Sequence, residues 1–207
     1  MAPLIQADET GTPGPDDRDE QALREALQDP QPSVRRQAVR ALATRSDTEE
    51  LRLSQLQVER DHNVRSALFS SLESGNSDTV IDGMIELLRG EDAELRAGAV
   101  AVLQTHPQGV AARLDRLLED PDPDVRIMSL DVLQALPHEQ TPSWLLKVLE
   151  HDTHPNVLGT ALDRLMETGD ERALPVLARL RLRMAQEPYL VFAIDAARQR
   201  IEGVAHG

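Results

Sequence analysis

Apolar residues recur along most of this chain at helical spacing, and one short pattern returns about every 30 residues. In each copy an apolar residue, here termed the anchor, is followed four, five and eight positions later by apolar or small residues, as Val64 is followed by Leu68, Phe69 and Leu72. The six anchors are Val34, Val64, Leu95, Val125, Val157 and Tyr189. Their separations are 30, 31, 30, 32 and 32 residues, and periods of this size are typical of solenoid proteins.

Each anchor is predicted to lie in the first turn of a helix. The residues three positions before three of the anchors are suitable N-caps: Asp61, Asp92 and Asp122. Prolines that suit a first turn stand two positions before three anchors: Pro32, Pro123 and Pro155. A second amphipathic set lies between these helices, over 18–28, 47–58, 78–89, 109–119, 142–150 and 171–184. Each repeat is therefore a helical hairpin whose apolar stripe is too wide to bury alone, so the hairpins must stack.

Composition excludes several classes of protein. The 207 residues carry a formal charge of −14, which argues against a nucleic-acid partner and against docking on anionic lipid. The absence of cysteine excludes disulfides and thiolate metal sites. No apolar run approaches the roughly 20 residues of a membrane span, and the first residues lack the basic start of a secretory signal. A cytoplasmic location is therefore the expectation.

The chain divides into a repeat region and two tails. Residues 1–16 contain scattered acids with Gly11, Pro13, Gly14 and Pro15, so we expect a disordered acidic tail. Residues 17–202 form the repeat domain, and residues 203–207 form a short C-terminal tail. The repeat domain is predicted to be all α-helical, because no segment shows the β-branched alternation of a strand.

Two segments carry a resemblance to a known family. The runs Asp29-Pro-Gln-Pro-Ser-Val-Arg35 and Asp120-Pro-Asp-Pro-Asp-Val-Arg126, each followed by a small or apolar helical pattern, resemble the short HEAT-like repeat of about 30 residues that also occurs in phycobilisome lyases. The resemblance covers about residues 17–202. It implies a right-handed α–α superhelical solenoid of about five to six HEAT-like hairpins. It is specific for fold and says little about function.

The resemblance also gives a role to an arginine that follows the anchor in four repeats: Arg35, Arg65, Arg96 and Arg126. In HEAT-like proteins this arginine packs between repeats and pairs with a loop acid, so we expect a structural ladder between repeats. The candidate partners are Asp29, Glu59, Asp92, Asp120 and Asp122. An anion-binding ladder is the functional alternative. Leu158 and Leu190 replace the arginine in the last two repeats, so the last interfaces should be more apolar.

The second helix of each HEAT-like hairpin lines the concave face, and the positions opposite its core side should face that groove. The candidate groove residues are Asp131, Asp163, Asp195, Ile127, Met128, Ala67, Ala97, Gly98 and Phe192. The three acids form a file with a spacing of roughly 10 Å, set by the usual distance between neighbouring helices. The basic residues of the predicted groove are Arg36 and Arg40, which lie at the end opposite the three acids. Small, apolar and acidic residues together favour a basic, amphipathic partner segment. The alternative is that an acidic chain collects acids along any file of helix positions.

Catalytic, metal and cofactor motifs are not found. His151, Asp152 and His154 form a close cluster, but a closed metal site needs three or four ligands, and we interpret His154 as a helix cap. HEAT-like metal hydroxylases carry repeated His-Glu pairs, whereas this chain has His138-Glu139 alone. HEAT-like enzymes that excise damaged DNA bases need a basic groove, whereas the predicted groove of this chain is acidic in its second half. Trp144 is predicted to be a core residue.

The sequence therefore favours a non-enzymatic adaptor, scaffold or regulator that binds another protein in its groove, without a cofactor. The alternative is a chromophore-lyase-like subunit, or a maturation or assembly chaperone for a cofactor-bearing protein. A homodimer through the C-terminal repeat is a further possibility, and it would remove Phe192 from the groove.

Overall fold

The computed structural model describes residues 15–75, 77–135 and 138–205, and in this part of the chain every regular element is helical. Most of the predicted N-terminal tail, residues 1–14, and residues 206–207 lie outside the described residues. The α-helices are α1 (Pro15–Ala26), α2 (Pro32–Leu42), α3 (Glu49–Val58), α4 (His62–Glu73), α5 (Asp78–Leu87), α6 (Ala93–Gln104), α7 (Pro107–Leu117), α8 (Pro123–Gln134), α9 (Thr141–His151), α10 (Pro155–Thr168), α11 (Leu174–Arg183) and α12 (Pro188–Ala205). Short 3₁₀ turns precede α3 and α11.

The helices form hairpins in two compact units. The first unit ends at Ser74 and holds α1–α4, and the second begins at Gly75 and holds α5–α12. Odd-numbered helices pack on the even-numbered helix that follows them, as α9 packs on α10. The even-numbered second helices also pack side by side: α2 on α4 in the first unit, and α6, α8, α10 and α12 in sequence in the second. The predicted all-α repeat fold is confirmed.

Most of the predicted helix starts are observed. The carboxylates of Asp61, Asp92 and Asp122 accept hydrogen bonds from backbone N–H groups in the first turns of α4, α6 and α8. The prediction that His154 caps α10 is wrong. His154 occupies the N-cap position, but its side chain accepts no backbone N–H. The carboxylate of Asp152 instead accepts the N–H of His154, at 2.8 Å, and orders the turn before the helix.

The core between the helices consists mainly of leucine, valine, isoleucine and alanine, with Met84 and Trp144. Val64, Val125 and Val157 are completely buried. Tyr189 differs from these anchors, because 67% of it is exposed while the next residue, Leu190, is buried. In α10 the corresponding residue, Leu158, is also buried, so apolar side chains fill the position that arginine holds in the earlier repeats.

Candidate functional site

The arginine that follows the anchor makes the same backbone contact in four repeats. Each guanidinium donates to the carbonyl oxygen of the residue six positions earlier, and this contact ties the helix to the turn before it. The pairs are Arg35 with Asp29 at 2.8 Å, Arg65 with Glu59 at 2.9 Å, Arg96 with Gly90 at 2.8 Å and Arg126 with Asp120 at 2.7 Å. This contact stays within one repeat.

Arg35 and Arg126 also bind an acid of the next repeat through two nitrogen atoms of the guanidinium. Arg35 donates to the two carboxylate oxygens of Glu59 at 2.8 and 2.7 Å. Arg126 donates to those of Asp152 at 2.7 and 3.2 Å. Both carboxylates are almost fully buried, with 2% of the Glu59 side chain and 7% of the Asp152 side chain exposed. Such paired, charge-assisted bonds are geometrically specific and strong.

An acid stands five positions before the anchor in four repeats, and its carboxylate also orders the turn before the helix. Each of these carboxylates accepts the backbone N–H of the residue two positions later. These bonds join Asp29 to Gln31, Glu59 to Asp61, Asp120 to Asp122 and Asp152 to His154, at 2.8, 2.9, 3.0 and 2.8 Å. Glu59, a predicted partner, receives Arg35 on its side chain, and Asp152, which was not predicted as a partner, receives Arg126. The recurrence of an acid five residues before the anchor was the signal that would have found it.

Arg96 makes the backbone contact without a carboxylate partner among the described residues. The acid in the equivalent place, Asp120, pairs instead with Arg89 at 2.5 Å. The series of arginine–acid pairs between repeats is therefore interrupted here, because Arg89 and not Arg96 binds Asp120.

The protonation of Glu59 follows from its surroundings. Burial alone would raise the pKa of this carboxyl. The hydrogen bond from Arg35, the backbone N–H groups of Asp61 and Arg60 and the amide of Gln55 outweigh burial, and they lower the pKa from 4.5 to about 2. These charges are fully engaged within the chain, so they hold the fold together.

The predicted groove residues all lie on even-numbered helices, but the three aspartates differ. Asp131 on α8 pairs with Arg164 of α10 at 3.1 Å. Asp195 on α12 receives both arms of Arg181 of α11 at 2.7 and 3.1 Å, and this bond lowers the pKa of Asp195. Asp163 on α10 is exposed and makes no ion pair with any described residue. Two of the three acids are therefore already neutralised by the chain itself.

The apolar members of the predicted groove are unequally accessible. Phe192 on α12 is 75% exposed. Ile127 and Met128 on α8 are half-buried. On α6, Ala97 is exposed and Gly98 is half-buried. The ninth residue, Ala67, is half-buried and belongs to the first unit.

The first unit carries a depression of about 440 Å³ between α2 and α4. Its lining residues are Arg36, Arg40, Ala43, Asn63, Ser66, Ala67, Ser70 and Ser71. The residues contributed by α2 and α4 recur at helical spacing, so they form two facing rows. Arg36 and Arg40 are the basic residues expected at this end of the groove, and Asn63, Ser66 and Ser70 of α4 line the same depression.

His138 packs against the core. The ring of His138 stacks on Trp144 with 5.0 Å between ring centroids, and Trp144 is buried as predicted. Within the described ranges no three His, Asp or Glu side chains come together as a metal site would require. None of the described helices combines the length and apolar character that crossing a bilayer demands.

Comparison with known proteins identifies the repeats. HEAT repeats match residues 20–104 and 110–196. The chain is 27% identical over 190 residues to the "uncharacterized phycocyanin operon protein Z" of Pseudanabaena tenuis (strain PCC 7409), a match that covers 86% of this chain and 93% of that protein. Two engineered proteins with known crystal structures are each 18% identical to this chain, with TM-scores of 0.42 and 0.40. Both matches cover 89% of this chain, and they cover 99% and 97% of the engineered proteins. Because the HEAT match extends over most of its length, this chain belongs to the HEAT repeat family.

Proposed function

We propose that this chain is a non-catalytic protein-interaction module, an adaptor, scaffold or regulator. In this proposal the second-helix face of the second unit binds a basic or amphipathic segment of a partner protein. HEAT repeats are an architecture that generally mediates protein–protein interaction. The observation that carries the proposal is Phe192, an aromatic ring that is 75% exposed on α12. An accessible aromatic side chain of this kind is a frequent anchor in protein interfaces.

The neighbouring helices supply what an amphipathic segment needs. Asp163 on α10 offers a carboxylate that no described arginine neutralises, so it suits a lysine or arginine of the partner. Ile127 and Met128 on α8 add apolar surface. Helices α8, α10 and α12 pack side by side, so the partner meets a preformed surface and binding costs little conformational entropy. Asp131 and Asp195 contribute less, because internal arginines already occupy them.

The apolar part of the proposal is tested with Phe192→Ala and a matched control. Leu182 on α11 is 79% exposed, and Leu182→Ala removes a similar apolar area from a first helix. We expect a discrete protein from the native lysate to be retained by wild type and by Leu182→Ala, and to be lost with Phe192→Ala. Equal retention by all three proteins would contradict the proposal.

The electrostatic part is tested at Asp163. Asp163→Arg should abolish retention of the same protein, while Glu139→Arg, at an exposed acid in the loop before α9, should leave it unchanged. Binding to wild type should also weaken as salt is raised, because exposed ion pairs are screened. Asp131 and Asp195 are unsuitable for this test, because their replacement would also release Arg164 and Arg181.

A chromophore-lyase-like subunit, or a maturation chaperone for a cofactor-bearing protein, is the second candidate function. The observation that favours it is the name of the Pseudanabaena tenuis relative, which refers to a phycocyanin operon. The test is capture with purified phycocyanin subunits, together with a visible absorption spectrum of the purified chain. Specific retention of a phycocyanin subunit, or a bound coloured ligand, would favour this candidate.

Self-association through the C-terminal repeat is a separate proposal that uses the same surface. Tyr189 and Phe192 expose 67% and 75% of their area on α12. Sedimentation equilibrium distinguishes the two uses of Phe192. If wild type is a dimer and Phe192→Ala is a monomer, Phe192 acts in self-association. If wild type is a monomer, Phe192 is available to bind the partner protein.

A further inference from the structure

The depression between α2 and α4 contains two arginines that have no ion-pair or side-chain hydrogen-bond partner among the described residues. We call it the arginine pocket and define it by Arg36, Arg40, Asn63, Ser66 and Ser70. Neither Arg36 nor Arg40 forms an ion pair or a side-chain hydrogen bond with a described residue, although the chain has 36 acidic and only 22 basic residues. With so many carboxylates available, an unpaired pair of arginines is not explained by the composition of the chain.

The opposite wall of the pocket offers hydrogen-bonding groups that also have no partner in the described part of the chain. The side chains of Asn63, Ser66 and Ser70 on α4 make no hydrogen bond within the described residues. The serines that follow them behave differently: the hydroxyls of Ser71 and Ser74 donate to the carbonyls of Leu68 and Ser71, at 2.7 and 3.4 Å. The pocket thus combines two cations with one amide and two hydroxyl donors.

The two arginines repel each other, since like charges one helical turn apart are unfavourable. A bound anion would remove this repulsion, and a guanidinium binds a carboxylate with two parallel hydrogen bonds. Four residues of helix separate Arg36 from Arg40 by about 6 Å. In an extended peptide, side chains two residues apart point to the same side at a spacing of about 6.6 Å. Two alternate acidic residues would therefore meet both arginines.

We propose that the arginine pocket binds an acidic, extended peptide segment of a partner protein. Alternate glutamates or aspartates would contact Arg36 and Arg40, while Asn63, Ser66 and Ser70 would donate to the remaining carboxylate oxygens. The depression is lined by residues of two helices, and its volume of about 440 Å³ exceeds what one small oxyanion occupies. This site is independent of the face proposed in the second unit, and it selects a ligand of the opposite charge.

The test is titration of a fluorescein-labelled peptide of four Ser-Glu repeats into the full chain at 50 mM salt, followed by anisotropy. The net charge of −14 repels this probe elsewhere on the protein, so binding reports a local site. We expect saturable binding that weakens at least tenfold in Arg36→Gln/Arg40→Gln. The Ser66→Ala/Ser70→Ala variant should bind about threefold more weakly. A peptide of four Ser-Lys repeats should not compete for the pocket.

A charge-matched variant makes the result specific. Arg60 and Arg200 are exposed and lie outside the pocket, so Arg60→Gln/Arg200→Gln removes the same charge elsewhere. This control should bind like wild type, and circular dichroism should show equal helicity in all variants. Absence of saturable binding, or equal loss in both double variants, would overturn the proposal.

Inorganic phosphate distinguishes a peptide site from a phosphate site, because both anions pair with arginine. Phosphate should displace the peptide only weakly, since one oxyanion fills only part of a depression of about 440 Å³. If phosphate binds more tightly than the peptide, and the binding is lost in Arg36→Gln/Arg40→Gln, the assignment to an acidic peptide is wrong.

Discussion

Arg35 and Arg36 are neighbours in the sequence and are both half-buried, but their side chains have opposite surroundings. Arg35, at the loop edge of the first unit, donates to both oxygens of Glu59 and to the carbonyl of Asp29. Arg36 lines the arginine pocket and has no internal partner within the described residues. Neither residue type nor exposure separates the two; the presence of an internal partner does. Arginines with partners hold the fold together, and those without one are available to a ligand.

The second unit repeats this contrast with acids. Asp131 and Asp195 are bound by Arg164 and Arg181, while Asp163 has no ion-pair partner among the described residues. A binding surface is therefore defined by the charges that remain after internal pairing, and not by the charges that the sequence places on one helix face.

The largest expected effect comes from removing the partnered arginine. Arg35→Gln leaves the nearly buried carboxylate of Glu59 without its counter-ion, and breaking a buried pair in this way costs about 3 to 5 kcal/mol. Arg36→Gln should change the free energy of unfolding by less than about 0.5 kcal/mol. Urea unfolding followed by far-ultraviolet circular dichroism measures both. Equal losses would remove the distinction between the two arginines.

The pH dependence of stability provides the next test. Because Glu59 has a pKa of about 2 in the folded chain and 4.5 ordinarily, its contribution is complete above about pH 4.5 and is lost as the pH falls towards 2. The shift corresponds to roughly 3 kcal/mol. Glu59→Gln should flatten this part of the stability profile, while Glu73→Gln, at an exposed acid on α4, should preserve it. An unchanged profile in Glu59→Gln would show that other carboxyls control acid unfolding.

Within the second unit, two arginines at the same repeat position should differ in importance. Arg126→Gln removes the paired bond to Asp152 and should cost about 2 to 4 kcal/mol. Arg96→Gln removes one bond to the carbonyl of Gly90 and should cost about 0.5 to 1 kcal/mol. Thermal unfolding of the two variants under identical conditions gives this order. A reversed order would mean that the carboxylate bridge is not the stabilising contact.

The smallest expected effect concerns the arginine pocket without ligand. Arg36→Gln/Arg40→Gln relieves repulsion between like charges one turn apart, so it should stabilise the chain by about 0.2 to 0.5 kcal/mol at low salt. The gain should disappear at 1 M salt, where the charges are screened. A clear loss of stability would show that the two side chains make structural contacts.

The sequence predicts the fold well because the fold is made of local, repeated signals. The anchor spacing, the capping acids such as Asp61 and the first-turn prolines each act within a few residues of one helix, so a single sequence reveals them. The exposed side chain of Tyr189 shows a limit of prediction from these local signals. The pattern places an anchor at 189, but the adjacent Leu190 is better suited to burial, and 67% of Tyr189 is exposed.

The candidate sites depend on contacts between different helices, which the sequence does not specify. The pairing of Asp131 with Arg164 joins residues 33 positions apart, and that of Asp195 with Arg181 joins an even-numbered helix to the preceding helix. Only the positions of both side chains in each pair show that two of the three aspartates are neutralised within the chain. The division into two units was also not visible, since the repeat spacing continues unchanged through Ser74.

The most direct test of the account compares Arg35→Gln with Arg36→Gln/Arg40→Gln in one titration of the Ser-Glu peptide, at a temperature where both variants are folded. We expect Arg35→Gln to bind the peptide like wild type despite its lower stability. We expect Arg36→Gln/Arg40→Gln to bind at least tenfold more weakly at undiminished stability. Loss of binding in Arg35→Gln, or its persistence in Arg36→Gln/Arg40→Gln, would contradict the claim that internal pairing separates structural arginines from those that bind a ligand.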